Sequence, residues 1–391
     1  MTDAGLEIAP GGEEPPADEP GARKGPRKRR WPGCLAALIA LVVLVGGFWF
    51  AVDRGVDLLR AQFDDAEDYS GPGSGQVLVE VQEGDSVAAI GRTLKSERVV
   101  ASVTAFTNAA AHEDGASNIQ PGHYELREEM AAADALDVLM DPENVVRTSV
   151  TIPEGFRVDQ VTERLAEETD FGRGRFRRVL ENRVDALGLP PYAQGDPEGF
   201  LFPATYDFEP GTKPAQMLER MVAQYKSAAQ EVPVGQASDV GLDRRQLVTV
   251  ASIIEKEVSR SEDFPAVAEV IYNRLDGTCA SEGVPEGLLQ MDSTVHFLSG
   301  GGTGSVFTDD EARESDSPYN TYRQTGLPPG PIASPGMEAL QAALAPTDEG
   351  YCYFVAVDLD SGESAFATTE GEHADNVERL REWCRENEGR C

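Results

Sequence analysis

Residues Gln246–Val258, QLVTVASIIEKEV, set Leu247, Val250, Ala251, Ile254 and Val258 on one face at helical spacing. That pattern predicts a core helix. At about 100° per residue, Glu255 and Glu257 flank the apolar stripe on opposite sides, and Lys256 points to solvent. The two glutamates therefore cannot converge on one bond. Glu255 falls beside Val248 and Ser252, and a half-apolar wall of this kind raises a carboxyl's pKa, as a general acid working near neutral pH requires. Taken alone the signal is weak, because a boundary glutamate on an amphipathic helix is ordinarily just solvated. A glycosidase of the usual scheme needs a second carboxylate, and no matching one is found by pattern.

Upstream, Phe171 to Glu231 is mainly helical in pattern, interrupted by the loop Pro190-Pro191 to Pro203 that carries Glu198-Gly199-Phe200-Leu201-Phe202-Pro203-Ala204-Thr205-Tyr206. Its crowded apolar and aromatic residues predict packing against the next module, either as a cleft wall or as a buried connector. Further upstream one pattern occurs twice. Val77, Val79 and Val81 alternate as a strand, then Glu83-Gly84-Asp85-Ser86 turns into a helix with Val87, Ile90 and Leu94 on one face. The pattern recurs 71 residues later, with Val150, Ile152 and Glu154-Gly155 followed by Val158, Val161 and Leu165. Each is a βα unit of the kind found in the front half of LysM-type glycan-binding modules.

The N-terminal region has a different character. Residues 1–30 are rich in Pro, Gly and charge and predict a disordered tail. Residues 31–52 contain an uncharged run long enough to span a bilayer core of about 30 Å as a helix. Arg23, Lys24, Arg27, Lys28, Arg29 and Arg30 precede it, which predicts a cytoplasmic N-terminus and an extracytoplasmic remainder. Cys34 starts that run and does not follow it, unlike a lipidated cysteine. Residues 53–75, ending in Ser70-Gly71-Pro72-Gly73-Ser74-Gly75, read as a stalk and flexible linker.

Of the 391 residues, 34 are Lys or Arg and 68 are Asp or Glu, a formal net charge of -34. The first 52 residues balance six against six, so the whole excess lies beyond them. Such a surface argues against nucleic acid as a partner. Cys279, Cys352, Cys384 and Cys391 permit two disulfides in an oxidising compartment, with three possible connectivities. The four histidines are scattered and no cysteine spacing suits zinc, so no metal and no cofactor are expected. Gly300-Gly301-Gly302-Thr303-Gly304 lacks the Lys and Ser/Thr of a phosphate-binding loop and reads as a flexible insertion.

Five blocks occur in order: Ala251-Ser252-Ile253-Ile254-Glu255-Lys256-Glu257, Val270 to Leu275, Leu289 to Val295, Tyr319-Asn320-Thr321-Tyr322, and Gly326 to Ile332 followed by Pro335-Gly336. In order and rough spacing they resemble the MltG (YceG-like) family of endolytic murein transglycosylases, over about residues 77–384. The resemblance implies a membrane-anchored lyase acting on peptidoglycan glycan strands, cutting between N-acetylmuramic acid and N-acetylglucosamine and leaving a 1,6-anhydro end. It also implies association with peptidoglycan synthases. The family's catalytic glutamate falls on Glu255. Asn273, Gln290, Asp292, Tyr319, Asn320 and Tyr322 are candidates for contacts to sugar hydroxyls and N-acetyl groups, since amides donate and accept and aromatic faces stack on sugars. Asn273 and Tyr322 serve equally well as loop supports.

Two positions depart from the family pattern. Ser293 stands where Asp-Pro-Thr-Val is common, and Ser364 replaces the histidine of a Gly-x-His-x-Phe strand. The expected fold is α+β: a disordered cytoplasmic tail at 1–30, a transmembrane helix at 31–52, a stalk and linker at 53–75, a LysM-like module at 76–148 and a mixed α/β catalytic domain of YceG-like type at 149–391. The last includes the second βα unit at 149–170. A non-catalytic peptidoglycan-binding scaffold and a water-using muramidase are the competing readings.

Overall fold

The computed structural model of the chain describes residues 45–49, 52, 66–298, 313–387 and 390. Two compact units are present, Met1–Ala66 and Glu67–Cys391. Among the described residues no helix is long and apolar enough to cross a membrane. The expected span at 31–52 lies outside them except for 45–49, which are helical and solvent-exposed, and Val52. The expected tail at 1–30 and the glycine-rich insertion at 300–304 also lie outside the described residues.

The second unit begins with strand β1 (Pro72–Val81), helices α1 (Val87–Ser96) and α2 (Val103–Ala111), and strand β2 (Gly122–Met130), which returns antiparallel to β1. The helix start follows from its turn: Asp85 accepts the Gln82 N–H at 3.0 Å and Ser86 caps α1 by accepting the Ala89 N–H. The linker expected to run to residue 75 is shorter, because β1 already starts at Pro72. Gly75 takes positive φ within an irregularity between Ser74 and Val77, and Gly73 does so just before it. Helix α3 (Ala132–Met140) follows.

The same β-α-α-β order then recurs. Strand β3 (Thr148–Thr151), helices α4 (Val158–Glu168) and α5 (Arg173–Asn182) and strand β4 (Thr205–Phe208) form it, with β3 and β4 antiparallel. The closing strand of each copy carries no such pattern in the sequence. Thr205 and Tyr206 belong to β4, although their stretch reads as loop. The reason is that the loop serves two cores: Phe200 and Phe202 pack into the one that follows, while Leu201 and Tyr206 pack against β3, α4 and α6 (Pro214–Glu231).

Helix α7 (Arg244–Glu257) is the centre of the following core. Asp243 and Gln246 form its capping box, each side chain accepting the other's backbone N–H at 2.9 Å. Every residue from Leu247 to Ile254 is buried, beyond the single stripe that periodicity predicts. Helices α8 (Phe264–Leu275), α9 (Asp292–Leu298) and α10 (Met337–Leu344) pack on it from different sides. The polar members of the run are satisfied internally, Thr249 donating to the Arg245 carbonyl and Ser252 to that of Thr249.

The chain ends in hairpin β5 (Tyr353–Asp358) and β6 (Glu363–Ala367), covered by α11 (Glu370–Glu386). A disulfide joins Cys279 to Cys352, tying the segment after α8 to the start of β5, and Cys384 is disulfide-bonded as well.

Candidate active site

Near the end of α7 the Glu255 carboxylate accepts the N–H of Gly336 at 3.0 Å. That contact exists because the Gly326 to Gly336 segment lies along α7. Ser252 accepts the Ile332 N–H at 3.0 Å one turn earlier. A third piece of chain closes the arrangement: the Glu154-Gly155-Phe156 turn after β3 is held to the same segment by Gly155 N–H to the Ser334 carbonyl and Ser334 N–H to the Phe156 carbonyl, both 2.9 Å. Gly336 is buried between the two acids, and a methyl group in its place would overlap the Glu154 carboxylate. Gly155, at φ +70°, packs against the side chains of Glu255 and Lys256.

Glu255 is half-buried, and burial pushes its carboxyl up to about 7. The Gly336 N–H and Lys256 oppose the rise, while Glu154 and Glu338 add repulsion. Burial, and then Glu338, also raise Glu154 above the usual carboxylate range. A carboxyl near 7 is present in both forms at neutral pH, which suits one residue that first gives and then takes a proton. Glu154 is the group that pattern reading missed. In sequence it is half of a Glu-Gly turn, and only the pairing of that turn with the Ser334 segment brings it to α7.

Glu257 points the other way, as the helical wheel requires. It accepts the Ser293 N–H at 3.1 Å, and burial pushes it to about 7 against that bond. The departure at Ser293 thus supplies a hydrogen bond that a proline could not donate. On this side Asp292 accepts the Tyr322 hydroxyl at 2.7 Å and pairs with Arg313 at 3.1 Å, the guanidinium lying 4.9 Å from the Tyr322 ring centre.

None of the six contact candidates hydrogen-bonds Glu255 among the described residues. Asn273 donates to the Tyr351 carbonyl at 2.8 Å, beside Arg274, which is buried and donates to the Cys352 and Leu289 carbonyls. Asn320 is fully buried, its amide donating to the Arg313 and Ser315 carbonyls and accepting from Tyr322 N–H. Gln290 takes φ +54° and donates its backbone N–H to Thr321. Tyr319 packs on Phe297, ring centres 5.0 Å apart, with Asp196, Arg245 and Glu198 close enough to act on its hydroxyl. Ser364 lies opposite Ala356 in the final hairpin.

A cavity of about 180 Å³ opens beside Lys256, lined also by Arg157, Gln160, Ser293, His296, Phe297 and Ile332. Glu255 is not among its lining residues, but its neighbour Lys256 is. Among the described residues no cluster of three His, Cys, Asp or Glu could hold a metal ion.

Fold and site define a mixed α/β protein with two carboxyls of raised pKa on opposite sides of one core helix. The chain belongs to the YceG-like family, which it matches over residues 79–379. It is 33% identical over 311 residues to the endolytic murein transglycosylase of Bacillus subtilis (strain 168), covering 76% of this chain and 82% of that one. To the endolytic murein transglycosylase of Streptococcus pneumoniae (strain R6) it is 27% identical over 370 residues, covering 88% of this chain and 64% of that one. The chain thus spans just under two thirds of the pneumococcal protein. A crystal structure of a putative YceG-like protein from Listeria monocytogenes is similar in fold, with a TM-score of 0.51 and 27% identity over 78% of this chain and 99% of that one.

Proposed function

We propose that this chain is an endolytic peptidoglycan transglycosylase with Glu255 as its acid/base. The carrying observation is the half-buried Glu255 carboxyl near pKa 7, held by the Gly336 N–H with Glu154 across the same glycine, whereas Glu257 on the same helix is turned to Ser293. Protonated Glu255 gives its proton to the glycosidic oxygen between N-acetylmuramic acid and N-acetylglucosamine. As that C–O bond breaks, the muramic acid C6 oxygen bonds to C1 and its hydroxyl proton passes to the Glu255 carboxylate. The product end is a 1,6-anhydro sugar and no water is consumed. The names of the Bacillus and Streptococcus relatives support this reading.

Tyr319 and its partner Phe297 make the best sugar-stacking surface among the candidates, and Gln290, Asp292 and Tyr322 stay partly exposed beside Glu257. Asn273 and Asn320 serve as loop supports, since their amides are taken by backbone carbonyls. The β1-α1-α2-β2 unit is read as a LysM-like glycan-binding module on its topology. The six cations before residues 31–52 support a single membrane anchor with the site outside, next to peptidoglycan synthases.

A second reading is favoured by Glu154. Two carboxylates some 5–10 Å apart are the equipment of a water-using glycosidase, and Glu154 and Glu255 flank one glycine. Mass spectrometry of strands digested by the full chain in detergent separates the two. Anhydro-muramic ends that vanish with Glu255→Gln are expected; reducing ends would make the protein a muramidase, and no cleavage by folded protein would leave a binding scaffold.

A further inference from the structure

A second, larger cavity has no part in the chemistry above. It measures about 550 Å³ and shares two lining residues, Arg157 and Phe297, with the cavity beside Lys256. The two therefore adjoin. Arg157 lies three residues beyond Glu154, so its Cα is within about 11 Å of the Cα of the residue that flanks the catalytic carboxyl. That is the span of a sugar and its substituent.

The lining is cationic in a chain whose net charge is -34. It carries Arg157, Arg173 and Arg177 against two acids, Asp159 and Glu198. Asp159 is paired with Arg157 at 2.9 Å. Burial pushes Glu198 up to about 8, with the Val158 N–H opposing and Asp196 and Asp159 adding repulsion. At neutral pH it is mostly the neutral acid, a hydroxyl donor carrying little charge. Arg173 and Arg177 are exposed, and among the described residues their ion pairs are loose surface ones, to Glu163 at 3.6 Å and Glu181 at 3.7 Å. Such pairs are worth little and exchange readily for a better partner. Buried Thr162 and the Leu180 and Phe297 side chains complete a pocket that is apolar in part.

We propose that this cavity, walled by Arg173, Arg177, Thr162, Glu198 and Phe297, is a subsite for the carboxylate-bearing peptide stem of the glycan strand. The proposal rests on the peptidoglycan-cleaving reading. The stem hangs from the lactyl group on C3 of the muramic acid, a few bonds from the C1 at which the chain is cut. A strand seated with that C1 at Glu255 carries its stem along the adjoining cavities. Guanidinium groups take carboxylates by paired, charge-assisted hydrogen bonds, and the apolar patch accommodates the small side chains of such a peptide.

The test uses the full chain in detergent and the Arg173→Ala/Arg177→Ala double variant, whose lost ion pairs are exposed and leave the fold intact. Calorimetric titration with an N-acetylmuramyl pentapeptide, which has no glycosidic bond to cut, reads the subsite without catalysis. Wild type is expected to bind it with an affinity that falls as salt rises, and the double variant roughly tenfold more weakly. In parallel, the ratio of kcat/KM on stem-bearing strands to that on amidase-stripped strands should fall by about the same factor in the variant. Equal fragment binding by the two proteins overturns the subsite, whatever the cleavage shows. Fragment binding lost in the variant, with no cleavage by wild type, keeps the subsite and removes the cleavage reading.

Discussion

Glu154→Gln should move the alkaline limb of the cleavage profile downward. Both carboxylates flank Gly336, Glu255 accepting its N–H and Glu154 lying against its Cα, so standard bond lengths put them within about 7 Å. At that distance two negative charges repel by about 0.6 kcal/mol at the dielectric of water and about 2.4 kcal/mol at an effective value of 20. Glu154 is solvent-exposed, which sets the effect toward the lower figure, about half to one pH unit. Repulsion raises the pKa of the acid that must be protonated, so the amide lowers it and activity at high pH is lost sooner. The limb in kcat/KM, near 7 in wild type, should therefore fall to about 6–6.5 in the variant, while activity on the plateau below pH 6 survives. Measuring kcat/KM between pH 5 and 9 by release of anhydro-ended fragments checks this. An unmoved limb at normal rate would show that Glu154 does not face Glu255 in solution. Loss of activity at every pH would refute the single-acid mechanism and give Glu154 a direct part in the reaction.

Replacing both Cys279 and Cys352 by Ala opens a loop of 73 residues and should cost about 2–4 kcal/mol of unfolding free energy, read by urea titration with and without reductant. An unchanged midpoint would mean that the hairpin it anchors contributes nothing to cooperative unfolding. Asn273→Ala should lower stability by about 1–2 kcal/mol, because the Tyr351 carbonyl loses its donor, and leave KM for glycan strands unaltered. A raised KM at full stability would return Asn273 to the substrate contacts.

Much of this architecture is legible in the residues themselves. The spacing of Leu247, Val250, Ala251 and Ile254 marks α7, and the two strand-turn-helix patterns at Val77 and Val150 lie where β1-α1 and β3-α4 form. Opposite placement of Glu255 and Glu257 follows from helix geometry and is what the structure has, one on Gly336 and the other on Ser293. Periodicity is silent on what returns to meet these elements. The four residues of β4 hide in an aromatic stretch because strand pairing is a long-range property, here joining Thr148 to Phe208. Asn320 looks like a ligand for sugar and is spent on three backbone groups, a fate that depends on the path of residues 313–322.

Glu154 teaches the same lesson in the opposite direction. A Glu-Gly turn carries no mark of catalysis, and an identical dipeptide at Glu83-Gly84 only leads into α1. What separates the two copies is tertiary: Gly155 exchanges a backbone bond with Ser334, and Gly336 has no side chain to keep Glu154 away from α7. The Gly-Pro segment at 326–336 is therefore more than a rigid connector. Through Ile332 on Ser252 and Gly336 on Glu255 it fixes the acid, and through Ser334 it holds a second carboxylate whose repulsion adds to the burial that raises Glu255. A change that lengthened this segment by one residue would leave α7 folded and its glutamate in place, yet uncover the carboxyl and return Glu255 toward an ordinary carboxylate, because burial is the largest cause of its raised pKa.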